Sequence, residues 1–406
     1  MRNLVLLVLL ISFFSCNNKS KETIENHLKQ GVYRAELQIK DSVHLPFNFK
    51  VIDASHLQIF NAEEIIEVDE ITYKQDSVFI KAPVFEGYLA AKLQGDKLTG
   101  SFIKPNLNRV VPFTAEKQET RFNVLNEPAS MVTGNWEAIF SPEDEAEKYI
   151  AKGVFSQKGN KVTGTFLTTT GDYRYLEGVV DGNMMKLSTF DGAHAFLFTA
   201  KVTDSTMIGT FYSGKHWEEP FEAIKNETYE LPDANGLTFL KEGYNKIAFS
   251  FPDAKGNMIS LENERFKNKV VLVQIMGTWC PNCLDESKYF STYYKNNKDK
   301  GLEIVALAFE YVKTEAAGFK NIQRLQERIA IEYPILLAQT GTSSKAKAQE
   351  KLPMLNHVLS YPTTIFIDKK GKVRKIHTGF NGPATGEKFT AFKKEFEGFV
   401  NMLLLE

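Results

Sequence analysis

The run Val270-Val271-Leu272-Val273-Gln274-Ile275-Met276-Gly277-Thr278-Trp279-Cys280-Pro281-Asn282-Cys283 decides the fold. Val270 to Ile275 reads as a buried strand. Pro281 then opens a helix, because a first helical turn has no use for the N–H that proline lacks. A C-x-x-C at such a handover puts a thiol at a helix N-terminus, where backbone N–H groups and the macrodipole favour the thiolate. Cys280 falls near the N-cap, so its sulfur can accept from the N–H of Cys283. It is expected to be the more exposed thiol that attacks a disulfide, with Cys283 as the inner thiol that resolves the mixed disulfide. A reversible Cys280–Cys283 disulfide needs no separate cofactor. Half of a zinc site is the competing reading, but with 3 cysteines, 7 histidines and no second C-x-x-C, no metal is expected.

Around this run the pattern is strands alternating with helices. Ile247 to Phe251 and Leu302 to Ala308 read as strands, and Pro281 to Asn297 and Thr314 to Glu332 as helices. Thr363 to Asp368 and Val373 to His377 flank the turn Lys369-Lys370-Gly371-Lys372, and Thr385 to Leu405 is an amphipathic helix. Residues 246–406 are therefore expected to form an α/β unit with a mixed sheet.

Residues 31–225 have a different texture, with short alternating runs such as Leu57-Gln58-Ile59-Phe60 and Ser77-Val78-Phe79-Ile80 between Gly, Asp and Asn turns. That spacing predicts an all-β sandwich or barrel. Phe85-Glu86-Gly87, Leu98-Thr99-Gly100-Ser101-Phe102 and Val111-Pro112-Phe113-Thr114-Ala115 recur in order. Their counterparts are Phe190-Asp191-Gly192, Met207-Ile208-Gly209-Thr210-Phe211 and Glu219-Pro220-Phe221-Glu222-Ala223. The region is read as an internal duplication, with halves at about 31–117 and 134–225. Its aromatic residues, including Phe196, Phe198, Phe211, Tyr212 and Trp217, are expected in the core. A turn-rich stretch, 226–245, reads as the linker.

Met1-Arg2-Asn3, the apolar Leu4 to Phe14 and Ser15-Cys16 read as an export signal over residues 1–15. It is short for a membrane span. Its end resembles a bacterial lipobox, which implies lipid attachment at Cys16 and a tether over 16–30. An exported chain with only two further cysteines has no disulfide framework, so its dithiol is free to turn over. Charge is nearly balanced, with 49 basic and 50 acidic residues, and nothing points to nucleic acid. No phosphate loop, Ser-His-Asp arrangement or paired-carboxylate motif stands out. His357 and His377 read as surface or packing residues.

Taken in order, several motifs resemble a thioredoxin-fold domain of the TlpA/ResA-like disulfide reductase family, of the sort many Bacteroidetes-type lipoproteins carry. They are Phe251-Pro252-Asp253 with Gly256 and Ile259-Ser260-Leu261, then Lys269 to Cys283, then Tyr361-Pro362-Thr363-Thr364-Ile365-Phe366-Ile367-Asp368 with the Gly371 turn. The resemblance covers Ser250 to Leu404. It implies a cis-proline at Pro362 facing the dithiol, with the backbone before it pairing with substrate as an added strand. Trp279, Pro281, Tyr361 and Thr363 are then expected to border the substrate.

It also implies that Glu286, in C-x-x-C-x-x-E, tunes the thiols and moves protons. Cys283, Glu286, Phe290, Tyr293 and Tyr294 share one helical face, which is consistent with an inward carboxylate; the plainer reading is that Asp285 and Glu286 favour a first helical turn. Ser287 stands where the family often has proline. Gln274 occupies a strand position where relatives often carry Asp or Asn, and an amide cannot serve as a base.

The expected function is an envelope thiol-disulfide oxidoreductase, lipid-anchored and periplasm-facing, acting as a reductase. The resemblance implies a membrane thiol carrier as electron donor and exported protein disulfides as substrates, with apocytochrome c as one candidate. A disulfide oxidase or isomerase, and a non-enzymatic surface binding lipoprotein that uses the β region, are the alternatives. A peroxidase would need a T-x-x-C-like context, and Thr278 with Cys280 does not have that spacing.

Overall fold

The computed structural model describes residues 27–406. The expected export signal, Cys16 and most of the expected tether therefore lie outside the described residues. The last part of that tether is not loose. Leu28 is buried in the core of the first β half, and Tyr33 donates from its hydroxyl to the Lys29 carbonyl at 3.0 Å.

Gly31–Lys117 forms one nine-stranded antiparallel sheet and Gly134–Lys225 another. The second closes into a barrel: Gly134–Phe140 pairs with both Tyr149–Lys158 and Trp217–Lys225, and Tyr149–Lys158 also pairs with Lys161–Thr168. Closure leaves no unpaired edge in that ring. The first sheet stays open, because its end strands Glu64–Val68 and Glu70–Lys74 do not pair.

The repeated motifs occupy matching places. Gly100 lies opposite Phe113, and Gly209 lies opposite Phe221. At both positions a Cβ would run into a neighbouring strand's carbonyl oxygen, of Ala90 and of Thr199. Only glycine permits that approach, which accounts for the glycine at the centre of both L/M-x-G-x-F motifs.

Each half has an aromatic core. Phe140, Phe166, Phe198, Phe211 and Phe221 fill the barrel, whereas Trp217 is 42% exposed and Tyr212 half-buried, so these two are not core residues. Period-2 alternation turns Tyr212 to the face opposite Phe211, whereas Trp217 shares the parity of the buried Phe221 and is exposed at the very start of its strand.

The halves are joined by Phe190, stacked on Phe47 at 4.2 Å, and by two bonds between its backbone and the Asn61 amide, at 2.9 and 3.1 Å. Arg121, buried between them, donates to the carbonyls of Ser188 and Phe60.

The C-terminal domain is built on a five-stranded sheet in the order Ile335–Gln339, Leu302–Phe309, Val270–Met276, Thr363–Ile367, Val373–Thr378. The central strand is buried along its whole length, runs parallel to Leu302–Phe309 and antiparallel to Thr363–Ile367. Four helices complete the domain: α1 (Pro281–Asn297), α2 (Glu315–Arg328), α3 (Lys345–Lys351) and α4 (Glu387–Leu405). This is a thioredoxin-like fold. Phe396 of α4 packs on Tyr289, Phe290 and Tyr293 of α1 and on Phe366 of the sheet, which fixes α1 over the central strand.

Three expectations change here. The strand read at Ile247 to Phe251 is instead Ser250–Pro252, paired with Met258–Ser260 in a small separate sheet. Edge strand Ile335–Gln339 and helix α3 were missed in the sequence, being too short for a periodic signal. Residues 226–245 are no free linker: Ala234, Lys241 and Asn245 bond by backbone to Thr378, Met354 and Val373. His357 and His377 help hold that segment, bonding to the Leu237 carbonyl and the Asn235 side chain at 3.0 Å each.

Candidate active site

Cys280 is the N-cap of α1, in extended backbone conformation, and its sulfur accepts from the Cys283 N–H at 3.4 Å. That is one of the orphan donors of a helix start. The Cys280 thiol in turn donates to the Tyr361 carbonyl at 3.3 Å, and the Tyr361–Pro362 bond is cis. Both cysteines are free thiols; Cys280 keeps 8% of its surface and Cys283 none. Burial, then the neighbouring Cys280 sulfur, push the Cys283 thiol up.

Two carboxyls support the dithiol. Glu286 is fully buried; one oxygen accepts from Thr364 Oγ1 at 2.7 Å and the other from Gln274 Nε2 at 2.8 Å. Desolvation raises it to about 7, against the pull of those two donors. Gln274 is thus the partner that orients the carboxyl. Ser287 does not disturb α1; its hydroxyl pairs with Gln274 at 3.2 Å.

The second carboxyl, Glu310, was not anticipated. It follows the buried strand Leu302–Phe309 and accepts from the Thr278 N–H at 2.8 Å and the Thr278 hydroxyl at 2.7 Å, while burial pushes its carboxyl up. With Trp279 Nε1 donating to the Phe309 carbonyl at 2.9 Å, it ties the loop before Cys280 to the end of that strand. A readable signal did exist: an acidic residue at the C-terminal end of a buried parallel strand, where open α/β sheets place their sites. Burial holds Lys345, at the start of α3, below the usual lysine range, against an opposing pull from the nearby Cys280.

The residues expected to border substrate divide. Tyr361 and Trp279 meet edge-to-face at 5.6 Å beside Cys280. Pro281 is buried, and Thr363 is fully buried with its hydroxyl on the Ser360 carbonyl at 2.9 Å and its backbone in register with Ile275 and Thr378. Neither presents a side chain to a partner. Asn282 is the more accessible residue of the dipeptide.

The β region reaches this site from two sides. The loop at Asp172–Arg174 accepts from Asn282 Nδ2 through the Asp172 carbonyl at 3.2 Å, and Ser360 donates to the Thr170 carbonyl at 2.7 Å. Arg174 is buried in left-handed conformation; its guanidinium meets Glu64 of the first half at 2.5 Å, Asp191 at 3.5 Å and Asp285 of α1. On the other side Tyr311, beside Trp279, donates to Glu86 at 2.6 Å. Ala82 and Phe85 join the same apolar cluster as Cys280. Nothing in the sequence ties these residues together. Among the described residues no group of three or more His, Cys, Asp or Glu could hold a metal, and no helix is long and apolar enough to cross a membrane.

The profile of the AhpC/TSA family matches residues 243–376. The chain is 28% identical over 158 residues to the thioredoxin-like protein YneN of Bacillus subtilis, covering 39% of this chain and 78% of YneN. It is 30% identical over 125 residues to the thiol-disulfide oxidoreductase ResA of Bacillus thuringiensis, covering 31% of this chain and 62% of ResA, about three fifths of that relative's length. Over about a third of its length the chain thus resembles ResA thiol-disulfide oxidoreductases. The solved thioredoxin domain of a thiol-disulfide oxidoreductase from Bacteroides vulgatus aligns with 38% of the chain and 99% of that domain at 23% identity and a TM-score of 0.27. The matched residues 243–376 include Cys280 and Cys283 at the α1 N-terminus.

Proposed function

We propose that this chain reduces disulfides of exported proteins. The observation that carries this reading is the placement of Cys280 Sγ between the Cys283 N–H and the Tyr361 carbonyl, at a helix start and next to the one other thiol among the described residues. The Cys280 thiolate attacks one sulfur of the substrate disulfide, forming a mixed disulfide and releasing the other sulfur as a thiolate. Cys283, deprotonated, then attacks Cys280 Sγ. That step forms the Cys280–Cys283 disulfide, releases the second substrate thiol and delivers two electrons in all. Glu286, buried one helical turn beyond Cys283 and titrating near 7, is suited to take the Cys283 proton and return it. The oxidised domain is re-reduced by a membrane thiol carrier. Cys16 carries the lipid that keeps the chain at the envelope, facing the periplasm, and exported proteins such as apocytochrome c are the substrate class.

Insulin-disulfide reduction by the parent chain and by Cys280→Ser and Cys283→Ser tests the exchange: both variants should lose turnover, and Cys283→Ser should accumulate a mixed disulfide. Full activity in either variant would sink the reading. Direction is read from the dithiol potential, where a value near about −270 mV supports reduction and one near about −120 mV supports the oxidase alternative.

A further inference from the structure

Between the two β halves lies a cavity of about 380 Å³ that the redox reading does not use. Its apolar lining comes from both halves, with Leu37, Phe102 and Val111 on one side and Ala195 on the other. Lys104, Arg109 and Lys215 line it too, and no acidic side chain does.

That charge is not neutralised as it is elsewhere. Of the eight arginines among the described residues, seven stand within 4.0 Å of a carboxylate; Arg109 does not. Lys215 likewise has no ion pair among the described residues, and Lys104 donates only to the Ala193 carbonyl at 3.0 Å. Burial, then the charges of Arg109 and Lys104, hold His216 down at about 4, so it adds no charge near neutrality. Lys104 and Arg109 are partly buried while Lys215 stands exposed at the rim, and leaving the two inner cations half-desolvated over an apolar floor is unfavourable unless an anion with an apolar body covers them.

The cavity also leads toward the dithiol. Lys104 and Ala193 line both it and a narrow crevice whose far wall is Thr278, Trp279 and Tyr311. Trp279 immediately precedes Cys280.

We propose that this cavity docks an acidic, apolar segment of the polypeptide whose disulfide meets Cys280, an apolar side chain entering between the halves and a neighbouring carboxylate meeting Arg109 and Lys215. The assignment rests on the disulfide-exchange reading for its occupant, and charge complementarity selects that occupant. The duplication thereby acquires a use: the seam between halves is the recognition surface.

The test uses the full-length chain and two cysteine-free, dye-labelled peptides of the same length, one Asp-Phe-Glu-centred and one Lys-Phe-Lys-centred, followed by fluorescence anisotropy. The acidic peptide should bind about tenfold tighter or more, and added salt should weaken it. Arg109→Glu/Lys215→Glu should abolish the preference, and the milder Arg109→Gln/Lys215→Gln should reduce it. Both variants should turn over a small neutral disulfide, oxidised 2-mercaptoethanol, at the parental rate. Equal binding of the two peptides, or parental affinity in both variants, overturns the docking site. Absence of turnover in the parent chain would overturn the exchange reading instead, while the anisotropy still decides the cavity.

Discussion

Gly87 and Gly192, the glycines of the repeated Phe-Glu/Asp-Gly motif, stand against each other: a Cβ on Gly87 would lie 2.6 Å from the Gly192 carbonyl oxygen, and one on Gly192 would lie 2.6 Å from Ala82 Cβ. The acidic residues beside them, Glu86 and Asp191, face opposite flanks of the C-terminal domain. Glu86 takes the Tyr311 hydroxyl; Asp191 takes Arg174, which also holds Asp285 two residues past Cys283. A duplicated turn has become a two-armed clasp around one dithiol.

Gly87→Ala should therefore loosen both arms. Overpacking against the backbone of Gly192 and the ring of Phe102 should cost about 1–3 kcal/mol, read as a lower urea midpoint. An unchanged midpoint would mean that the two turns do not bear on each other.

Arg174→Leu removes the cation shared by three carboxylates, Glu64, Asp191 and Asp285, and leaves them buried without it. A loss of about 3–5 kcal/mol is expected, together with faster alkylation of Cys280 by iodoacetamide as the Asp172–Arg174 loop lifts from Asn282. Parental stability with parental alkylation would deny the clasp any hold on the site.

Glu286 sets a pH dependence whose sign follows from burial. Its carboxyl is raised from 4.5 to about 7, so between those values the folded chain holds a proton that the unfolded chain has lost. Stability from this group is full below about pH 4.5, falls as pH rises and is gone above about 7. Glu286→Gln should flatten that slope, raising stability at pH 8 by about 3 kcal/mol relative to any effect at pH 4. The same variant should slow resolution of the mixed disulfide. Parallel stability–pH curves for the two proteins would argue against a buried, proton-holding carboxyl.

Glu310→Ala leaves the Thr278 N–H buried without an acceptor, at a cost of about 1–3 kcal/mol. The loop before Cys280 should become mobile, and insulin reduction should fall while α1 stays helical by circular dichroism. Glu310→Gln, which keeps an acceptor oxygen, should restore most of the rate; no difference between the two variants would place Glu310 outside the site's support.

What could be read from the sequence was local. Strand Val270–Met276, the helix that Pro281 opens and the capping of Cys280 by the Cys283 N–H lie within one short run, where propensity, proline chemistry and hydrogen bonding reach only a few residues. The two β halves were legible for the same reason, because the glycines that let strands approach recur in place. What the run could not reveal is what surrounds the dithiol. Gln274, Glu286 and Thr364 meet because strand order brings residue 364 beside residue 274; Glu310 reaches Thr278 because parallel strands end together; Arg174 reaches Asp285 because the barrel docks on α1. Local chemistry placed two thiols together at one helix start, and tertiary packing, which joins residues dozens to hundreds of positions apart, decided how deeply they are buried and which carboxyls attend them.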